Sequence, residues 1–179
     1  MMKEEIGTKN LKLGNNIEII DNFLDKEDFN KLQELLLGAW FPWYFCNGIV
    51  GGKTEDPLDM QFVHTFVRDQ QITSDWFVDH LGPIIKKINP EKFIKVKSNL
   101  QPATHKNLES HFHIDIDEKI KAKTSILYIN TNNGYTLFEN GTRIDSIENR
   151  FVTFDSNILH KGVTCTDQKT RCVVNFNYT

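Results

Sequence analysis

The sequence predicts an α+β protein, mainly β, in which two helices precede a set of strands that close into a β-sandwich or barrel. Two apolar patterns at helical spacing lie in the first ninety residues, and from residue 92 onward the chain breaks into short β-type runs punctuated by turn residues. No repeat, low-complexity tract or Pro/Gly/Ser-rich linker divides the 179 residues, a length suited to one domain with one core. The expectation is a single domain over 1–179, with 1–90 as a strand/helix support and 91–179 as the β core.

In chain order, NIEIIDNFL (16–24) reads as a short strand, and Asp25 with Asp28 three residues on as a capped helix start. Phe29, Leu32, Leu35 and Leu36 then share one helix face. AWFPWYFCNGIV (39–50) is aromatic and extended, and MQFVHTFVRD (60–69) alternates like a strand. TSDWFVDHLGPIIKKI (73–88) predicts a second helix, with Thr73 or Ser74 as cap, an apolar stripe through Phe77, Leu81, Ile84, Ile85 and Ile88, and a kink or restart at Pro83. The later runs FIKVKSNLQ, SHFHIDID, KTSILYIN, YTLFEN, TRIDSI, RFVTFDS and RCVVNFNY read as strands. Asn132-Asn133-Gly134 and Asn140-Gly141 are turn signals between them, the second a type I′ hairpin signature.

Composition narrows the function. Charged residues at 25% and hydrophobic ones at 39% describe a soluble globular chain. A formal charge of −3 and a pI of about 6.1 advertise no basic stripe, so nucleic acid is not an expected partner. Cys46, Cys165 and Cys172 are far apart and form no CxxC pair, which fits reduced cytosolic thiols rather than a disulfide framework or a zinc knuckle. The N-terminal MMKEEIGTKNLKLG has no apolar run, and no stretch approaches ~18 apolar residues. A cytoplasmic protein with no membrane partner is expected.

The stretch HFHIDID (111–117) carries the chemistry. On a strand, residues two apart share a face, so His111, His113, Asp115 and Asp117 would point one way and Phe112, Ile114 and Ile116 the other. Imidazoles and carboxylates turn inward only when paired or bound to a metal. Composition alone yields a His-x-Asp in roughly four of ten such chains, so the motif needs company. It has company downstream: a strand ending near Asp155, His160 after a short turn, and Arg171 beginning the last strand.

This pattern resembles the iron(II)/2-oxoglutarate-dependent dioxygenases, in particular their compact prolyl-hydroxylase-like members. Those enzymes carry His-x-Asp on one strand, a second His some tens of residues later, and an Arg or Lys about ten residues beyond. TSILYIN followed by a Gly-containing turn resembles a further family strand, and the likeness spans about residues 95–179, with a fainter echo in IIDNFLDKEDF. It implies a double-stranded β-helix (jelly-roll) core with the N-terminal helices packed on one sheet. It also implies His113, Asp115 and His160 as Fe(II) ligands in a facial arrangement that leaves coordination positions for 2-oxoglutarate and O2, with ascorbate as an accessory reductant. Arg171 would grip the distal carboxylate of 2-oxoglutarate. Tyr128 falls where relatives place a tyrosine on the same carboxylate, and Asn99 would stand in the wall of that site. The chain departs from the family at Tyr135, where a second glycine is frequent, and at Val173, where Ser or Thr is frequent.

The implied activity is hydroxylation of a peptide side chain such as proline, or of a small metabolite, with 2-oxoglutarate decarboxylated to succinate. An alternative is a cupin-like or other metal-binding β-barrel without oxygenase activity, using His111, His113 and Glu118. The glycine after the Glu and the Pro-x-Gly before the last His that a cupin wants are missing, and Arg171 has no task in that scheme. His64 reads as a structural histidine, His111 as partly exposed near the barrel mouth, Asp117 as solvated, and DEKIKAK (117–123) as a loop bordering the site.

Overall fold

The computed structural model describes residues 10–13, 16–49 and 58–179. The first nine residues, Gly14 and Val50, which belong to the N-terminal and AWFPWYFCNGIV segments, lie outside the described residues. The element order is β1 (Asn10–Leu13), β2 (Ile17–Ile20), α1 (Lys26–Leu37), β3 (Tyr44–Asn47), β4 (Met60–Arg68), β5 (Gln71–Ile72), α2 (Trp76–Ile88), β6 (Phe93–Pro102), β7 (Lys123–Tyr128), β8 (Tyr135–Phe138), β9 (Arg143–Asp145), β10 (Phe151–Asp155), β11 (His160–Val163) and β12 (Thr170–Tyr178). The larger sheet runs β1-β2-β10-β7-β12-β6-β4-β3, with β5 also on β4; the smaller runs β11-β8-β9. Bridges Glu109↔Val163 and His113↔His160 add the segment before Asp115 to the edge of the smaller sheet. Two antiparallel sheets face each other, the jelly-roll arrangement, and no described helix is long and apolar enough to cross a membrane.

Period-two alternation divides the large sheet into two faces. Outward positions Val96 of β6, Leu127 of β7, and Cys172, Val174 and Phe176 of β12 pack with Phe29, Leu32 and Leu36 of α1 and Phe77, Leu81 and Ile84 of α2. Inward positions form a smaller apolar cluster of Ile126, Tyr128, Phe138, Val152, Phe154 and Val173. The rest of the inner face is polar, and it lines a cavity between the sheets.

Asp25 caps α1, its side chain accepting from the Asp28 amide at 3.0 Å. Several expectations need correction. Neither Thr73 nor Ser74 caps α2: the Thr73 hydroxyl donates to the Thr65 carbonyl and Ser74 Oγ is engaged by His64. Pro83 does not break α2, which runs on to Ile88; Gly82 before it has no Cβ to meet the proline ring. The Asn140-Gly141 turn is not type I′, because only Gly141 has positive φ, at 84°. It is instead a type I turn closed by a left-handed glycine, with the Gly141 amide donating to the Phe138 carbonyl at 2.9 Å. SHFHIDID is extended only as far as its two bridges and bends at Asp115 and Ile116, so the four polar residues do not share one face.

The helical layer is tied to the sheet by Asn149, in a left-handed conformation at φ 59°. Its side chain accepts from the Leu24 amide at 2.9 Å and donates to the Leu24 carbonyl at 2.8 Å, both buried. Asn149→Ala leaves those two groups unpaired and should lower the unfolding free energy by about 2–4 kcal/mol. Asp25→Ala, which loses one exposed cap bond, should cost about 1 kcal/mol. Urea denaturation checks the pair; equal losses would show that the Asn149 clamp contributes nothing beyond an ordinary cap.

Candidate active site

His113, Asp115 and His160 come together, their candidate ligand atoms all within 4.8 Å of one another. His160 opens β11, while His113 bridges to it from the neighbouring segment and Asp115 lies at the bend that follows. His160 Nδ1 lies 2.9 Å from the Ile158 carbonyl and His113 Nδ1 3.1 Å from the His111 carbonyl. A carbonyl only accepts, so Nδ1 carries a proton in each ring, and the tautomer this selects presents Nε2 as the metal-binding nitrogen. The two Nε2 atoms face the Asp115 carboxylate at 3.9 and 3.7 Å. On its other side, Asp115 Oδ2 accepts from Thr124 Oγ1 at 3.0 Å and Asn177 Nδ2 at 3.2 Å.

Burial pushes the His160 imidazole below its ordinary value of 6.5, against Asp115 and the Ile158 carbonyl, which favour the cation. Burial acts the opposite way on Asp115, but the two imidazoles and the donors Thr124 and Asn177 outweigh it and hold the carboxyl below its ordinary value. The hydrogen bonds from Thr124 and Asn177 add to the pull of the two imidazoles in favouring the ionised carboxylate. Two imidazoles and a carboxylate around a common point make a donor set that could hold a divalent metal ion, of the kind used in non-haem iron sites.

Farther into the cavity lies Arg171, 5% exposed. Its Nε donates to Ser146 Oγ at 3.1 Å, Nη1 to Gln101 Oε1 at 3.3 Å and Nη2 to Thr136 Oγ1 at 3.1 Å. Three of its five N–H groups are thus used, all on neutral acceptors, and no carboxylate pairs with it among the described residues. Burial opposes its charge. A buried guanidinium without an anion costs several kcal/mol, and a carboxylate entering the cavity would complete it. Gly134 gives the side chain room, since a Cβ there would stand 2.8 Å from Arg171 Cδ.

Tyr128 is fully buried beside Arg171, its ring centroid 5.7 Å from Cζ. Its hydroxyl donates to Thr136 Oγ1 at 2.7 Å, and burial raises its pKa. Thr136 Oγ1 therefore accepts twice, and its own proton is the one left to donate into the cavity. Asn99 lines the cavity, and its Oδ1 is buried without a partner; so is Oδ1 of Asn175. Lys97 borders the cavity too, its amine pushed below its ordinary pKa by burial and by Lys95, with Asp115 pulling the other way.

His64 is structural: Nδ1 meets the Pro42 carbonyl and Nε2 meets Ser74 Oγ, each at 2.8 Å, among Phe41 and Phe66. His111, Asp117 and Glu118 are exposed and stand outside the metal-type cluster, so the cupin-like ligand set is not assembled. Thr136, Gln101, Ser146, Thr124, Asn177, Lys97 and Asn175 escaped sequence reasoning. Gln101 and Asn175 were legible in principle, as inward positions in phase with Asn99 and Arg171; Ser146 and Thr136 depend on long-range pairing that carries no local signal.

No protein-family model and no curated protein sequence matches the chain. Solved structures do. A prolyl hydroxylase from Trichoplax adhaerens, in complex with a hypoxia inducible factor oxygen degradation domain peptide fragment, superposes with a TM-score of 0.66 at 16% identity, over 92% of this chain and 84% of its own. A viral collagen prolyl hydroxylase from Paramecium Bursaria Chlorella virus-1 gives 0.59 at 15%, over 93% and 98%. The non-heme alpha ketoglutarate dependent epimerase SnoN from nogalamycin biosynthesis gives 0.61 at 12%, over 92% and 78%. The fold is that of the compact prolyl-hydroxylase-like 2-oxoglutarate/Fe(II) oxygenases.

Zinc or iron(II) should raise the melting temperature of the metal-free protein, and Asp115→Ala should abolish that rise; an unchanged shift would remove Asp115 from the ligand set. In the metal-free protein His160 binds its proton less readily folded than unfolded. Its contribution is therefore intact above pH 6.5 and is lost as pH falls toward the depressed folded value. Melting curves between pH 7.5 and about 5 should fall more steeply for wild type than for His160→Gln.

Proposed function

We propose that this chain is a non-haem Fe(II)- and 2-oxoglutarate-dependent dioxygenase, acting as one domain over 1–179, that hydroxylates a peptide side chain such as proline or a small metabolite. The observation that carries the reading is the pairing, in one cavity, of a two-histidine-one-carboxylate cluster with a buried guanidinium that has no carboxylate partner among the described residues. A metal-binding barrel without oxygenase activity would explain the first and leave the second idle. The three cysteines are free thiols, in keeping with a cytoplasmic location.

His113, Asp115 and His160 would hold Fe(II), and Arg171 would hold the distal carboxylate of 2-oxoglutarate. When bound, the metal and co-substrate supply the oxidising chemistry that inserts one oxygen atom of O2 into a substrate C–H bond, with the other leaving in succinate as CO2 is released. The protein's part is positioning and dryness. The Nδ1 bonds of both histidines fix which nitrogen meets the metal, and Thr124 with Asn177 fixes the carboxylate. Gln101, Ser146 and Thr136 aim the guanidinium. Tyr128, through its bond to Thr136, sets the direction of the remaining hydroxyl proton, a donor that Val173 cannot offer where relatives often have Ser or Thr. Ile126 and Val173 wall the cavity between the two ends and shed water.

His160→Ala should abolish substrate-stimulated succinate formation. Arg171→Ala should keep metal affinity and raise the 2-oxoglutarate KM by about tenfold or more. Labelled 2-oxoglutarate turnover measures both; undiminished turnover in His160→Ala would end the proposal.

A further inference from the structure

Adjoining the cavity is a groove of about 510 Å3, bordered by Arg68, Asp69, Lys95, Lys97, Asp115 and Ile116 among others. That volume is in the range of a small-molecule or single-residue subsite. Lys97 and Asp115 border both spaces, so the groove and the cavity adjoin at these two side chains. Lys97 pairs with Asn175 across β6 and β12, while Gln101, four residues along, pairs with Arg171. The two cations are thus rooted roughly 13 Å apart along the strand.

Arg68, Lys95 and Lys97 face a single groove carboxylate outside the triad, that of Asp69. None of the three cations makes an ion pair or hydrogen bond among the described residues, and Lys97 is largely withdrawn from water. Such a concentration of unpaired positive charge runs against a chain whose net charge is −3. A half-buried amine without a hydrogen-bond or ion-pair partner among the described residues, set where the groove and the cavity share a wall, fits an incoming anion. Recognition of a phosphate gathers several converging donors, often from a helix N-terminus; the inner end of this groove offers one amine, the scale of a carboxylate.

We propose that Lys97, with Lys95 and Arg68 behind it, binds a carboxylate of the substrate, so that the molecule presented at the metal centre is an organic acid or an acidic peptide residue. This rests on the dioxygenase reading above and specifies its substrate class.

The test uses full-length zinc-loaded protein saturated with 2-oxoglutarate, where calorimetry reads binding without turnover. One arm titrates L-aspartate, L-glutamate and L-malate, each against derivatives in which one carboxylate is an amide. The other titrates hexapeptides with a central Asp or Glu against their Asn or Gln counterparts. In at least one arm the acid should bind about tenfold tighter than its amide; that preference should vanish in Lys97→Met and persist in Lys97→Arg, with 2-oxoglutarate affinity held within about twofold throughout. The arm that responds names the source of the carboxylate. No acid preference in either arm, or a preference surviving in Lys97→Met, overturns the proposal. A large loss of 2-oxoglutarate affinity in Lys97→Met also overturns it, by giving the amine to the co-substrate. Wild-type protein that binds no 2-oxoglutarate defeats the dioxygenase reading itself and takes this inference with it.

Discussion

The register of three neighbouring strands, β6, β12 and β7, is the constraint on which the rest of this molecule depends. Along β12 the alternation reads Arg171 in, Cys172 out, Val173 in, Val174 out, Asn175 in, Phe176 out and Asn177 in. The pairing Arg171↔Gln101 and Asn177↔Thr124 sets those inward groups against matching inward groups of β6 and β7. A slip of one residue would drive the guanidinium into the helix-covered core and turn Cys172 and Phe176 into the cavity. One set of hydrogen bonds thereby decides both the packing of the helices and the chemistry of the interior.

A polar interior of this kind needs a strong apolar counterpart. Inward positions that would ordinarily bury Val or Ile carry Lys97, Asn99, Gln101, Arg171, Asn175 and Asn177, so the space between the sheets contributes little hydrophobic stabilisation of its own at that end. The outer face supplies it instead. α1 and α2 cover the back of the same strands with Phe29, Leu32, Leu36, Phe77, Leu81 and Ile84, and each such side chain is worth roughly 1.5–3 kcal/mol when fully buried. The N-terminal ninety residues are therefore a condition of the site even though none of its candidate metal ligands comes from them, and β4 joins the wall directly through Gln61.

What could be read from the sequence follows the same division between local and long-range information. The helix face through Phe29, Leu32 and Leu36 and the strands rich in β-branched and aromatic residues announce themselves within a few positions, as does the Asp25 cap. The triad and Arg171 were legible because four reactive side chains recur at separations matched by a known family, not because any one stretch demanded them. HFHIDID misled where it was judged by alternation alone. The chain bends at Asp115, which brings that carboxylate toward His113 and His160 and leaves Asp117 in solvent, and the bend is met by long-range partners such as the Ser156 carbonyl rather than set by local propensity. Thr136 and Ser146 could not be found at all, since their role exists only once the β8–β9 hairpin folds over Arg171. The two caps proposed for α2 failed for a related reason: β4 claims both hydroxyls, Thr73 donating to the Thr65 carbonyl and Ser74 Oγ being held by His64.

The candidate metal ligands are held with unequal firmness. His160 belongs to a paired strand, whereas His113 and Asp115 sit on a segment joined to the smaller sheet by isolated bridges and a few backbone bonds, among them His113 N–H to the His160 carbonyl at 3.0 Å and Asp115 N–H to the Ser156 carbonyl at 3.3 Å. Segments with so few ladder bonds lie at the low end of local stability. A metal bridging His160 to His113 and Asp115 would add cross-links between the firm strand and the loose one, so part of its binding free energy would appear as ordering of residues 109–117. That same segment borders the groove at Asp115 and Ile116. On the proposed function, a metal held there would stabilise the same wall that borders the groove, coupling binding of the ion to the shape of that groove.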